Sequence, residues 1–262
     1  MRLSSSNSNQ QTASTPQPAD VSRTAQVFLQ PLQADTGAAP NPYMSVCTLA
    51  FGLPALRQTA QPGDWVVFTT PTAELGVICA MQVTRKMTLP EYDQYCQAEL
   101  PGKIPQTELN FPAAHAADCV YDFSVPAQVP VLRSGIRKLD DILPDLQGRF
   151  VLLSDFFFYF GHHPLRLPAA LSAQGAGVAQ PTGQLTPAAA ETYAHWLKNL
   201  AFPRNTLLHK PAQPVSLTEE FRVKGCNGCG KCGAALPGTM FMSEERIAKL
   251  QEKFRREVHE TQ

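Results

Sequence analysis

The sequence predicts an α+β fold: a small β-barrel with flanking helices, followed by a Cys-rich C-terminal appendage. Three observations predict it. Short apolar runs bounded by turn residues recur along the chain and have the length of strands. The 23 prolines cut the chain into extended segments and loops, which suits a barrel better than a helix bundle. A rigid polar loop, residues 35–42, stands beside strand patterns, and a stiff loop at a strand mouth is how a small barrel makes a pocket.

Each element has a local signal. Residues 1–25 are rich in Ser, Gln, Asn and Thr and nearly free of large apolar side chains, so a disordered tail without a signal peptide is expected. Residues 27–33 read as a first strand leading into the loop. Gly63-Asp64 is a tight turn that launches a strand at 65–70, paired with 77–84 through a turn at 71–76. Thr88 and Glu91 have capping-box spacing with Pro90 in the first turn, and the helix that follows places Tyr92, Tyr95 and Cys96 on one face. Residues 129–133 form another strand. The continuous apolar run at 150–154 predicts a strand at the centre of its sheet. Residues 168–187 are rich in Gly, Ala and Gln and read as a loop. Thr186-Pro187 then starts a helix with an apolar stripe of Ala190, Tyr193, Leu197 and Leu200. Residues 210–214 read as a linker between a main domain, 26–210, and a C-terminal unit, 211–262. This order of elements resembles PUA-like small barrels such as the EVE and ASCH domains, a likeness of fold that does not fix function.

The loop carries the candidate recognition residues. Pro40 and Pro42 fix φ and push Ala39 and Asn41 toward extended geometry, so Asn41 is pinned between two prolines. Its amide offers two donors and an acceptor, a set that matches a base edge. The structural alternative is an Asx-type turn that fastens two strands. Asp64 can accept a base N–H at the barrel mouth or simply close its own turn. The aromatic run 156–160 offers Tyr159 as a stacking surface. Its alternative is a core strand with residues on both faces. Asp35, Asn41, Tyr43, Asp64 and Tyr159 are the expected pocket for a modified or flipped base. An enzyme acting on a base or nucleotide would use Asp35 or Asp64 as general base and Cys47 as nucleophile. The sequence has no Walker loop, G-x-G-x-x-G, G-x-S-x-G or H-E-x-x-H.

These stretches carry a family resemblance. Asp35-x-Gly37-x-x-Pro40-Asn41-Pro42, Cys47-Thr48-Leu49-Ala50 and Gly63-Asp64-Trp65-Val66 resemble the nucleotide-modification-associated domain, second type. The likeness runs in order over roughly residues 26–210. It includes V-I-C-A-M-Q-V-T at 77–84, M-T-L-P-E-Y-D-Q-Y at 87–95 and the closing Tyr159-Phe160-Gly161 turn. Asp118-Cys119-Val120-Tyr121 is similar to the family's D-N-I-Y, with Cys119 in place of Asn. The resemblance implies a setting among bacterial and phage proteins associated with DNA-base modification. It brings no catalytic residue set.

Composition bounds the partners. The net charge is +0 over 262 residues, so no overall positive field attracts polyanions. That argues against tight non-specific duplex binding and leaves a single base, a nucleotide or a protein as partner. No apolar run approaches the ~20 residues that span a bilayer, so a soluble, cytoplasmic protein without a membrane partner is expected.

The C-terminal unit carries a second chemical signal. Cys226, Cys229 and Cys232 stand as C-x-x-C-x-x-C among glycines, with Lys224 and Lys231 favouring thiolates. Three converging thiolates suit zinc or an iron–sulfur cluster; His209, Cys119 and His259 are candidate fourth ligands. The alternative is a reduced Cys-rich loop. Residues 226–250 also resemble the opening of a zinc- or iron-chelating cysteine-cluster family, but Gly233 replaces an adjacent Cys and the later cysteines are missing. Ser243 then caps an amphipathic helix with Ile247, Leu250, Phe254 and Val258 on one face. That face needs a surface to cover, on the main domain or on a protein partner, which supplies a scaffold reading. Gly161-His162-His163-Pro164 offers imidazoles, but adjacent histidines on a turn are expected to point apart.

Overall fold

The computed structural model describes residues 23–72, 74–106, 108–109, 111–124, 130–133, 136–175 and 182–215. Residues 1–22 of the tail expected at 1–25, the cysteine cluster and the amphipathic helix after it lie outside the described residues, and Arg23 at the end of that tail is paired with Asp64. The described chain runs β1 (Val27–Pro31), β2 (Cys47–Leu49), α1 (Pro54–Thr59), β3 (Trp65–Thr69), β4 (Gly76–Gln82), β5 (Arg85–Thr88) and α2 (Leu89–Ala98). It continues through α3 (Pro112–Ala116), β6 (Tyr121–Asp122), β7 (Val131–Leu132), α4 (Ile142–Gln147), β8 (Phe150–Ser154) and β9 (Phe157–Tyr159). It closes with β10 (Leu165–Arg166), α5 (Ala169–Gly175) and α6 (Pro187–Lys198). A 3₁₀ turn, Pro101–Lys103, follows α2.

The α+β class is present, but no closed barrel forms among the described residues. β1 pairs parallel with β3, β3 antiparallel with β4, and β4 carries both β9 and β10. A second sheet has the order β2-β8-β5, with β8 central as its apolar run predicts. The two sheets share one bent antiparallel ladder: Met81 faces Phe157, and Arg85 faces Leu153 in the same register beyond the bend. Single bridges lie on two of the outer edges. Gln184 lies on β1 through Phe28, and Asn41 lies on β2 through Thr48.

Strand alternation builds the layers. Val27, Leu29, Trp65, Val67, Phe158 and Phe160 face one cluster with Tyr193 and Leu197 of α6. Their neighbours Phe28, Val66, Phe68, Phe157 and Tyr159 face the opposite way and meet Cys47, Leu49 and Leu152 between the two sheets. Val151 and Leu153 point outward from the second sheet onto Tyr92 and Cys96 of α2. The aromatic run is therefore a core strand with residues on both faces, as the period of two requires.

The capping box at α2 is in place: Thr88 N donates to Glu91 Oε2 at 2.8 Å and Glu91 N to Thr88 Oγ1 at 3.4 Å. Tyr92 and Cys96 are buried, whereas Tyr95 is only partly buried and stands under the Arg85 guanidinium at 4.7 Å. The expected loop at 168–187 contains α5, a correction. Its alanines have high helix propensity, and Leu171 is buried with its carbonyl accepting from the Tyr193 hydroxyl at 2.7 Å. Among the described residues no helix is long and apolar enough to cross a membrane.

Candidate functional site

The loop from Asp35 to Val46 is fixed from beneath by a buried polar network. Asn41 is fully buried; its backbone pairs with Thr48 in both directions, N to O at 2.8 Å and O to N at 2.9 Å. Its Oδ1 accepts from Tyr43 N at 3.4 Å, which is an Asx turn, and from Lys103 Nζ at 2.6 Å. Its Nδ2 donates to the Ala116 carbonyl at 2.7 Å. The amide seen in the sequence as a base reader is thus engaged within the fold.

Lys103 is the centre of this network and was not anticipated from the sequence. Its ammonium is fully buried and reaches Asn41 O at 2.9 Å, Asn41 Oδ1 at 2.6 Å, Val46 O at 2.7 Å and Thr48 Oγ1 at 2.9 Å. The Thr48 hydroxyl passes the contact on, donating to Asp118 Oδ2 at 2.7 Å, while Tyr92 donates to Asp118 Oδ1 at 2.7 Å. Burial lowers the Lys103 pKa against the opposing pull of Asp118, and burial raises the Asp118 pKa against the pull of Lys103. Both shifts say that the interior resists charge more than the partners reward it. Next to Lys103, Gly102 makes room for Met44: a Cβ there would meet the Met44 sulfur at 2.7 Å. Met44 and Ser45 both hold left-handed backbone, at φ 61° and 58°. The 3₁₀ turn therefore grips the loop at two neighbouring points.

Asp35 and Tyr159 come together on the other side of the loop. Asp35 Oδ1 accepts from the buried Tyr159 hydroxyl, and Oδ2 from Ala212 N at 3.0 Å. Gln213 N donates to Asp35 O at 2.8 Å and Val215 N to Thr36 O at 3.3 Å. The segment expected as linker, 210–214, thus lies against the loop, with Val215 after it. Tyr43 is partly buried, and burial together with Asp35 pushes its phenol up to about 12. Gly37 sits at φ +72°, where an added Cβ would meet the Tyr43 hydroxyl at 3.0 Å.

Asp64 and Cys47 occupy other surroundings. Asp64 is fully buried and accepts from Arg23 at 2.9 and 2.8 Å, and from Gln26 N and Gln61 N, each at 2.8 Å. It closes its own turn, the alternative the sequence left open. Cys47 is fully buried between the sheets, 3.9 Å from Cys79 Sγ and 3.8 Å from the Met81 sulfur. Cys119 is buried beside Asp93 and Arg133. Of the five expected pocket residues, four are buried and Tyr43 is partly buried. Met44, 46% exposed, is the large apolar side chain that stands out from the loop, with Ser45 exposed beside it.

Comparison with known proteins gives one match. A family model described as nucleotide modification associated domain 2 covers residues 24–218, most of the chain. No curated protein and no solved structure is matched at a significant level.

Proposed function

The chain belongs to the nucleotide modification associated domain 2 family, and on that premise we propose that it recognises a modified or flipped base through the loop from Asp35 to Val46. The observation that carries the reading is the Lys103 ammonium bonded to three residues of the loop and the strand after it, Asn41, Val46 and Thr48. A loop frozen in this way holds its outer side chains without an ordering cost on binding. Tyr43 is the aromatic surface for the base and Met44 an apolar flank. Asn41, Asp35 and Tyr159 support them from behind, and Asp64 steadies the neighbouring strand. The zero net charge fits recognition of a base or nucleotide better than adhesion to a phosphate backbone.

The test is binding of the purified protein to short single- and double-stranded oligonucleotides carrying plain or hypermodified pyrimidines. A preference for the modified base is expected. Tyr43→Ala should weaken it by about 1–3 kcal/mol, on the order of 5- to 150-fold, the worth of one base–aromatic stack. Equal binding to every oligonucleotide, or no effect of Tyr43→Ala, would sink the reading.

The spacing of Cys226, Cys229 and Cys232 supports a separate element of the proposal, a zinc or iron–sulfur knuckle that joins the protein to partners together with the helix after it. Elemental analysis of the purified full chain should find bound zinc or iron that a Cys229→Ser variant loses; identical metal content in both would remove the knuckle.

A further inference from the structure

We propose that His162, His163 and His209 form an open three-imidazole site for a divalent ion of the zinc type, with water completing the coordination. One nitrogen from each ring lies within 4.8 Å of the others, and all three side chains are exposed. Ring centroids stand 4.3 Å apart for His162 and His163, 4.6 Å for His163 and His209, and 5.4 Å for His162 and His209. Zinc–imidazole bonds of about 2.0–2.1 Å at tetrahedral angles bring ligand nitrogens to about 3.3 Å of one another. The remaining gap is within the reach of side-chain rotation for exposed rings.

The site is assembled by the fold from two distant segments. Past α6 the chain returns alongside β9: Asn205 N donates to Phe157 O at 3.0 Å, Leu208 N to Tyr159 O at 2.9 Å, and Leu207 bridges Tyr159 in parallel. His162 N then donates to Lys210 O at 3.0 Å, which fixes the 161–163 turn against residue 209. Gly161 lets the two backbones touch. It sits at φ +55°, and a Cβ there would fall 2.2 Å from Lys210 O.

The tautomer is set as a ligand requires. His162 Nδ1 lies 2.9 Å from Lys210 O. A carbonyl oxygen only accepts, so Nδ1 carries the proton and Nε2 keeps its lone pair. This is the arrangement in which metal-binding histidines are held by their second nitrogen. Three neutral imidazoles suit zinc, cobalt, nickel or copper and not magnesium or calcium, which take oxygen ligands. Three protein ligands leave a coordination position open to solvent, as in sites that activate water or hold a substrate oxygen.

The cysteine cluster would also take zinc, so the test starts from full-length protein carrying Cys226→Ser, Cys229→Ser and Cys232→Ser, stripped with chelator. Calorimetric titration with Zn²⁺ should give one saturable equivalent. Co²⁺ should give d–d absorption without the thiolate-to-metal band of a cysteine site. Adding His163→Ala or His209→Ala should abolish the equivalent, while His195→Ala, on exposed α6 surface, should leave it intact. Absence of saturable binding in the Cys-substituted protein, or its survival in either His163→Ala or His209→Ala, overturns the proposal.

Discussion

Lys103→Met is expected to lower stability by about 3–5 kcal/mol, the cost of removing one charge from a buried, hydrogen-bonded network. Methionine keeps the length of the alkyl stem, so packing changes little. What is lost is the ammonium, and with it a donor to Asn41 O, Asn41 Oδ1, Val46 O and Thr48 Oγ1. Asp118 remains fully buried with its cationic neighbour gone. For a domain of this size the loss is a fall in melting temperature of roughly 6–20 °C. Urea unfolding should show a lower midpoint with an unchanged slope. Glu74→Ala is the control, because its pair with Arg166 joins two side chains that are 80% and 81% exposed and contributes at most about 1 kcal/mol. A Lys103→Met cost no larger than the Glu74→Ala cost would show that the network does not hold the loop.

The same physics predicts a partial rescue. Burial opposes the charge on both Lys103 and Asp118. Lys103→Met combined with Asp118→Asn removes both charges and should cost clearly less than the two single changes added together. Lys103 reaches the loop only from beneath. Loss of base binding in a folded Lys103→Met protein would therefore report loss of loop order, not of a ligand contact.

Local signals were legible in the sequence, and long-range convergence was not. The box at Thr88 and Glu91, the β3–β4 pair and the central place of β8 follow from neighbours within a few residues. The aromatic run could be read for the same reason, since period two sends Phe157 and Tyr159 one way and Phe158 and Phe160 the other. Barrel closure is a property of sheet edges, which periodicity does not encode. Lys103 stands in P-G-K-I-P, which reads as an exposed turn, and lysine is normally outside. Its partners Asn41, Val46, Thr48 and Asp118 are scattered over the sequence and meet only in the fold. The histidines teach the same lesson. Residues 162 and 163 looked divergent as a pair, and their common centre exists because residue 209 returns beside them.

Asp35→Ala is expected to cost about 1–3 kcal/mol, because it strips the acceptor from a buried donor and from an exposed one at once. The Tyr159 hydroxyl, on a fully buried side chain, loses its partner, and so does Ala212 N. An orphaned buried donor costs about 1–3 kcal/mol. Tyr159→Phe separates the two contributions: it deletes the phenol oxygen while Asp35 keeps Ala212 N. It should cost less than Asp35→Ala, and the double variant should show coupling. Asp35→Asn is the decisive change for function. Its amide keeps one oxygen but turns an N–H toward Ala212 N, or toward the Tyr159 hydroxyl, whose proton then lacks an acceptor, so stability should fall and the amides of Ala212, Gln213 and Val215 should gain hydrogen exchange. A general base would add a second effect: Asp35→Asn would abolish turnover of a base or nucleotide by far more than the loss of folded protein explains. Turnover measured beside equilibrium unfolding and exchange at Ala212, Gln213 and Val215 therefore distinguishes a carboxylate that only holds the recognition loop from one that also moves a proton.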